Sequence, residues 1–120
     1  MEGFVMENII DKERATQILS EVKPENAFLF YLSDGVSTGN SAQNLSQLFE
    51  MIKTVEIKSV EFHLKRGDFE KWIGDLGDNI LVMRLAKIRE APLEGEVVRK
   101  RVVTIIGKRI NYLKSLEASP

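Results

Sequence analysis

Cysteine is absent from this sequence of 120 residues, and histidine occurs only once. Without cysteine there is no disulfide framework, no thiolate-bound zinc or iron–sulfur centre, and no thiol nucleophile. A single histidine excludes a metal site built from several imidazoles. Apolar runs stay far below the roughly 20 residues that a membrane-spanning helix needs. The opening M-E-G-F-V-M-E-N lacks the basic region and apolar stretch of a secretory signal. We therefore expect a cytoplasmic protein with no metal, no cofactor and no membrane contact.

What is present is ordinary for a globular domain. Apolar residues make up 43% of the chain and charged residues 29%, which is far from the composition of disordered proteins. A chain of this length buries roughly two thirds of its unfolded surface, so one core can hold it together. No repeat or low-complexity tract divides the sequence. We expect a single domain over residues 1–120.

Charge is divided unevenly along the chain. Residues 1–80 carry 8 basic and 14 acidic side chains, whereas residues 81–120 carry 9 and 4. No acidic residue occurs from Val97 to Leu116, a stretch that includes four candidates for binding an anionic partner: Lys100, Arg101, Lys108 and Lys114. The alternative is a solvated face, with the two halves attracting each other within one chain or across a dimer.

Apolar spacing and capping residues predict helices along most of the chain. These helices run from Asn8 or Asp11 to about Val22, from Ser41 through Ile52, from Asp68 to Leu76, from Asp78 to about Arg89, and from about Gly95 to Leu116. Residues 33–41 predict a loop, whereas residues 27–32 and 55–65 fit a strand or a helical segment equally well. We predict an all-α bundle of five or six helices with a long C-terminal helix. Ten residues should form much of its core: Leu45, Phe49, Ile52, Phe69, Trp72, Ile73, Leu76, Leu85, Ile105 and Ile106.

The C-terminal helix has an unusually wide apolar face. Its apolar residues cover about half of the helical circumference, more than the roughly 100° that a helix needs to face one core. Arg109 lies near the middle of this arc, where a buried arginine needs a partner unless its head reaches water. The surplus apolar surface predicts a homodimer with four candidate contact residues: Ile105, Ile106, Arg109 and Ile110. The rival is a helix that is covered on both sides by its own chain.

Three polar residues lie close together in the middle of the sequence. In a functional interpretation, His63 is an acid–base group or phosphate ligand, Arg66 clamps an anion and Asp68 orients the histidine. In a structural one, Asp68 caps a helix, Arg66 pairs with an acid such as Asp75, and His63 binds a backbone carbonyl. We favour the structural interpretation because catalysis requires a partnered base or a carboxylate pair, which sequence alone does not establish.

The same region carries a resemblance to a known family. The block F-H-L-K-R-G-D-F-E-K-W-I spans residues 62–73, precedes G-D-L-G-D-N-I-L, and follows G-N-S-A-Q-N-L-S-Q-L. Together these segments resemble a family of small, mostly archaeal domains of unknown function, in which a G-x-x-A-x-S-L helix is paired with an F-H-x-x-R-x-D-F-x-x-W-I block. Asn44 stands where that family usually shows serine. The resemblance covers residues 27–85 and implies a helical fold but no particular reaction.

These observations favour a non-enzymatic interaction or regulatory module that self-associates and has an unidentified protein partner. An alternative is a nucleic-acid- or ribosome-associated protein that uses the basic C-terminal helix. It is not favoured, because the chain as a whole is slightly acidic and aromatic residues are few in that helix. A third hypothesis is a small enzyme centred on His63.

Overall fold

The computed structural model describes residues 11–120, which contain six α-helices and a two-stranded antiparallel sheet. The elements are α1 (Lys12–Leu19), a 3₁₀ turn (Pro24–Asn26), β1 (Phe28–Ser33), β2 (Val36–Ala42), α2 (Leu45–Thr54), α3 (Ile57–Arg66), α4 (Asp68–Leu76), α5 (Asn79–Glu90) and α6 (Glu96–Glu117). The prediction of an all-α fold is therefore wrong, because the helices share the domain with a β-hairpin. The possible start of the first helix at Asn8 lies outside the described residues.

Residues 27–32, which fitted a strand or a helical segment, form most of β1, and the turn and nearly all of β2 lie within residues 33–41, which were predicted as a loop. The turn is confined to Asp34 and Gly35, and the chain then returns as β2, with Phe28 opposite Ala42 and Tyr31 opposite Ser37. Gly35 adopts φ +75°, which suits a tight turn. β2 was not predicted because its sequence, V-S-T-G-N-S-A, lacks the apolar alternation by which strands are recognised. Apart from Ala42, which is buried at its end, β2 is held by backbone pairing to β1 rather than by buried side chains.

Residues 55–65, which fitted either a strand or a helix, belong almost entirely to α3. This helix ends at Gly67, whose φ of +76° is left-handed, and α4 begins at the next residue. Asp68 is therefore the first residue of α4 rather than its predicted cap, and its side chain is available for other contacts. Asn44, not Ser41, caps α2 by accepting a hydrogen bond from the backbone N–H of Gln47.

The core lies where α6 crosses the other helices. α6 contacts α1, α2, α3 and α5, while β1 packs on α3 and β2 on α2. Of the ten predicted core residues, Phe49, Trp72 and Ile105 are half-buried at the edge of this core, and the other seven are buried. Within the described residues, no helix combines the length and hydropathy needed to cross a membrane.

Arg109 finds its partner inside the same chain. Its Nε donates to Asp78 Oδ2 at 2.7 Å and its Nη2 donates to Asp78 Oδ1 at 3.0 Å. The exposed fraction is 5% for the Arg109 side chain and 0% for that of Asp78. Asp78 also caps α5, as predicted, by accepting a hydrogen bond from the Leu81 N–H. The opposite charges of the two halves therefore meet within one molecule.

The wide apolar face of α6 is largely covered by the chain's own helices. Within residues 11–120, Ile106 and Ile110 are buried and Ile105 is half-buried. Among the proposed dimer contacts, only Ile105 therefore keeps appreciable exposed apolar surface. The homodimer stays a prediction, but the exposed apolar surface on which it was based is mostly buried within the chain.

Arg109→Met should lower the free energy of unfolding by about 3–5 kcal/mol, because it leaves the Asp78 carboxylate buried and unpaired. The double variant Arg109→Met/Asp78→Asn should regain much of this loss, since asparagine still caps α5 and carries no charge. Urea unfolding followed by circular dichroism measures both variants. If the double variant is as unstable as the single one, the cost does not come from the unpaired charge.

Candidate functional site

A cleft of about 410 Å³ lies between β1, the hairpin turn and the junction of α3 with α4. Leu29 and Tyr31 from β1 face Phe62 from α3 across it, and Asp34 belongs to the hairpin turn. The three residues singled out in the sequence, His63, Arg66 and Asp68, also line this cleft. We refer to it below as the hairpin cleft.

His63 is fixed at both ring nitrogens. Its Nε2 accepts a hydrogen bond from the Tyr31 backbone N–H at 2.8 Å, and its Nδ1 lies 2.8 Å from Asp68 Oδ2. Because a backbone N–H only donates, Nε2 carries no proton, so Nδ1 carries it and donates to Asp68. His63 is thus a neutral imidazole that links β1 to the start of α4. Its backbone partner is an N–H rather than the carbonyl expected in the structural interpretation.

Local sequence explains why this link forms. Gly67 ends α3 and lets α4 begin at once, which brings Asp68 back to the histidine five residues before it. His63 is 4% exposed and is surrounded by aromatic rings, with the Phe28 and Phe62 centroids 4.8 and 5.0 Å away. This burial lowers the pKa of His63 below its ordinary value, and the opposing effect of Asp68 does not cancel it.

Arg66 lies between two carboxylates. Its Nη1 donates to Asp34 Oδ1 at 3.0 Å, and its Nε lies 3.3 Å from Asp68 Oδ2. Its guanidinium also stacks over the Phe62 ring, 4.8 Å from the centroid. Arg66 therefore pairs with Asp34 rather than with Asp75, and its charge is already compensated. An anion would have to compete with two acids for it.

The hairpin cleft thus combines the predicted residues with others that the sequence did not indicate. The structure brings together His63, Arg66 and Asp68, and Asp68 orients the histidine as the functional interpretation required. Asp34 and Tyr31 were missed because each lies 32 residues from its partner in α3. The only local signal was that Asp34 stands before glycine, as turn residues often do.

No group of three or more potential metal ligands occurs among residues 11–120. Nor does the hairpin cleft offer a free acid–base nitrogen, because both ring nitrogens of His63 are engaged within the fold. General acid–base catalysis needs such a group within hydrogen-bonding distance of the substrate. Within residues 11–120, the carboxylates of Asp34 and Asp68 keep unpaired polar atoms, beside the aromatic rings that line the cleft.

The four basic candidates on α6 lie far along the chain from this cleft. Lys100, Arg101, Lys108 and Lys114 are all exposed, and none forms an ion pair with another residue of the described range 11–120. Arg99 differs, because it pairs with Glu96 and donates to the carbonyls of Ile52 and Val55.

The buried neutral histidine predicts a specific pH dependence. Since the folded pKa lies below the ordinary value of 6.5, the unfolded chain takes up a proton first as the pH falls. The contribution of His63 to the stability of the wild type should therefore be constant above about pH 7.5 and fall below about pH 6.5, by at most about 1.4 kcal/mol per pH unit. His63→Gln, whose amide oxygen can still accept from Tyr31, should lack this component.

Urea unfolding at pH 5.5, 6.5 and 7.5 gives the difference between wild type and variant directly. Because the chain has one histidine, no other imidazole contributes to that difference. If the free energies of unfolding of the two proteins change equally with pH, the pKa of His63 is the same in the folded and the unfolded chain. That result would contradict the prediction.

Comparison with known proteins gives a family match. A model of a family of unknown function, DUF5752, matches residues 5–107, which include the whole hairpin cleft and the first half of α6. No curated protein and no solved structure is significantly similar to the chain. On this match, which spans most of the sequence, the chain belongs to DUF5752, a family of unknown function.

Proposed function

We propose that this chain is a non-enzymatic interaction module whose hairpin cleft receives an arginine or lysine side chain from a protein partner. The observation that carries this proposal is the pairing of aromatic walls with an excess of carboxylates. A long side chain with an apolar stem and a cationic head matches both features.

The charge of the cleft favours a cation. Asp34 and Asp68 contribute two negative charges, Arg66 contributes one positive charge, and His63 is neutral. Each carboxylate uses one oxygen for the contacts described above, and its other oxygen makes no hydrogen bond within residues 11–120. A guanidinium or ammonium group supplies the donors that these oxygens lack.

The apolar part of the cleft suits the stem of such a side chain. Leu29 is 51% exposed although it is a large apolar residue, and Tyr31 and Phe62 are half-buried. The cation–π contact between Arg66 and Phe62 shows that this surface already accommodates a guanidinium on an aromatic face. An incoming arginine would find the Tyr31 ring in the same cleft.

Asp34 gives the cleft a ready point of first contact. Its side chain is 94% exposed even though it binds Arg66, so it meets a partner before the more buried Asp68. Electrostatic attraction at such a rim accelerates encounter and selects partners of opposite charge.

Several finer expectations remain predictions. These are the cytoplasmic location, self-association, the archaeal distribution of the family, and the use of residues 62–73 as its signature. A small enzyme centred on His63 is less well supported than the binding module, because its ring nitrogens are engaged.

Titration with N-acetyl-arginine amide, followed by ¹H–¹⁵N NMR, tests the binding chemistry. We expect saturable shifts at the Tyr31 and Gly35 amides with a Kd of about 1 mM, since a ligand of about 15 heavy atoms gains about 0.3 kcal/mol from each. N-acetyl-citrulline amide, a neutral analogue of nearly the same shape, should bind at least several-fold more weakly.

Asp34→Asn should weaken binding of the arginine ligand, whereas Asp75→Asn is a matched control on an exposed residue of α4 outside the cleft. Equal shifts with arginine and citrulline ligands would contradict recognition by charge. Shifts that map away from the cleft, or equal effects of the two aspartate variants, would contradict the site.

A further inference from the structure

We propose that the solvent-facing side of α6, with the groove between α5 and α6, binds single-stranded nucleic acid. Phosphates would lie along Lys100, Arg101, Lys108 and Lys114, which we call the basic face, and a base would stack on Tyr112. This surface is separate from the hairpin cleft, and the inference does not depend on the proposed function.

The four cations of the basic face lie on one side of α6. Lys100 and Lys114 are separated by about 21 Å along the axis, at 1.5 Å per residue. At 100° per residue, the four cations fall within about 140° of the circumference, interspersed with the uncharged polar residues Thr104, Asn111 and Ser115. Since no acidic residue occurs from Val97 to Leu116, no carboxylate on this stretch of α6 competes with phosphate.

An exposed aromatic ring borders this face. Tyr112 follows Lys108 by about one helical turn and is 46% exposed. It lines a groove of about 420 Å³ together with Ile80, Arg84 and Arg109. A stacking platform on α6 was not expected from the sequence, because aromatic residues are few in this helix.

The ring is supported from within the protein. The Arg109 guanidinium lies 5.3 Å from the Tyr112 centroid and is itself held by two hydrogen bonds to the buried Asp78. A fixed cation on one side of an exposed ring favours base stacking on the accessible side, because less side-chain freedom is lost on binding. Arg84, exposed on α5, adds a further cation to the same groove.

The exposed Tyr112 ring favours a single strand over a duplex. A base must be unstacked to lie on Tyr112, which single strands permit at little cost and duplexes do not. The net charge of −1 does not oppose this binding strongly, because charges farther away than about 8 Å are largely screened at physiological salt. Acidic residues of the chain that lie farther away than this weaken the attraction between the basic face and phosphate only slightly.

Fluorescence anisotropy of the full chain with fluorescein-labelled dT20 and rU20 tests the proposal. We expect saturable binding to at least one of them at 50 mM salt, and their relative affinities tell whether DNA or RNA is preferred. If four phosphates are neutralised, log Kobs should fall with log salt with a slope of about −3. A labelled 20-base-pair duplex should bind several-fold more weakly.

Variants separate charge from stacking. Lys100→Glu/Lys108→Glu should lower affinity for the single strand at least about tenfold. The matched control Lys65→Glu/Lys71→Glu, which makes the same charge change on exposed residues of α3 and α4, should change it less than about threefold. Tyr112→Ala should lower affinity about tenfold, and Tyr112→Phe should retain most of it. Circular dichroism confirms that each variant is folded.

Three results would overturn the proposal. The first is no saturable binding of either oligonucleotide at 50 mM salt with 100 μM protein. The second is an equal loss of affinity in the control variant, which would indicate net charge rather than the basic face. The third is binding of the duplex or of a labelled poly-glutamate peptide as tight as that of the single strand, with Tyr112→Ala unchanged, which would indicate a general polyanion or acidic-protein surface.

Discussion

A single neutral imidazole ties the β-hairpin to the junction of α3 with α4. A two-stranded sheet is marginal by itself and needs other elements to hold it in place. Phe28 and Phe30 bury one side of β1, and His63 accepts the Tyr31 N–H that would otherwise lie unpaired at the strand edge. Because Asp68 holds the same ring from α4, strand and helix junction are fixed together. The hairpin cleft is the space that this arrangement leaves between them.

Local signals predicted five of the six helices, left α3 and β1 undecided between strand and helix, and indicated a loop where β2 lies. The Asp78 cap acts on adjacent backbone and was predicted correctly, and the 22-residue α6 was predicted to within about one residue, whereas the caps predicted at Ser41 and Asp68 were wrong. β2 depends on pairing with β1 rather than on its own side chains, so its polar sequence looked like a loop. Asp68 carried a good capping signal, but its contact with His63 determines its role. No local pattern could have indicated that Asp34 meets Arg66.

Opposite charges that are separated in sequence are partly neutralised inside the fold and partly left on its surface. Arg109 and Asp78 form the buried pair, which fixes α6 against the start of α5. The cations that remain exposed on α6 lack acidic partners among residues 11–120, while the hairpin cleft has more carboxylates than cations. One small domain therefore presents two surfaces of opposite character on different elements. This separation is the observation behind the two binding proposals.

The protonation of the His63 ring tests this account most directly. Long-range ¹H–¹⁵N NMR of the imidazole distinguishes a protonated Nδ1 from a protonated Nε2 and follows the ring through a pH titration. We expect a proton on Nδ1 and none on Nε2. We also expect the ring to be mostly neutral at pH 6.5, which is the ordinary pKa of histidine. A proton on Nε2, or a ring already mostly charged at pH 6.5, would contradict the account, because His63 would then be free to act as an acid or base in the cleft.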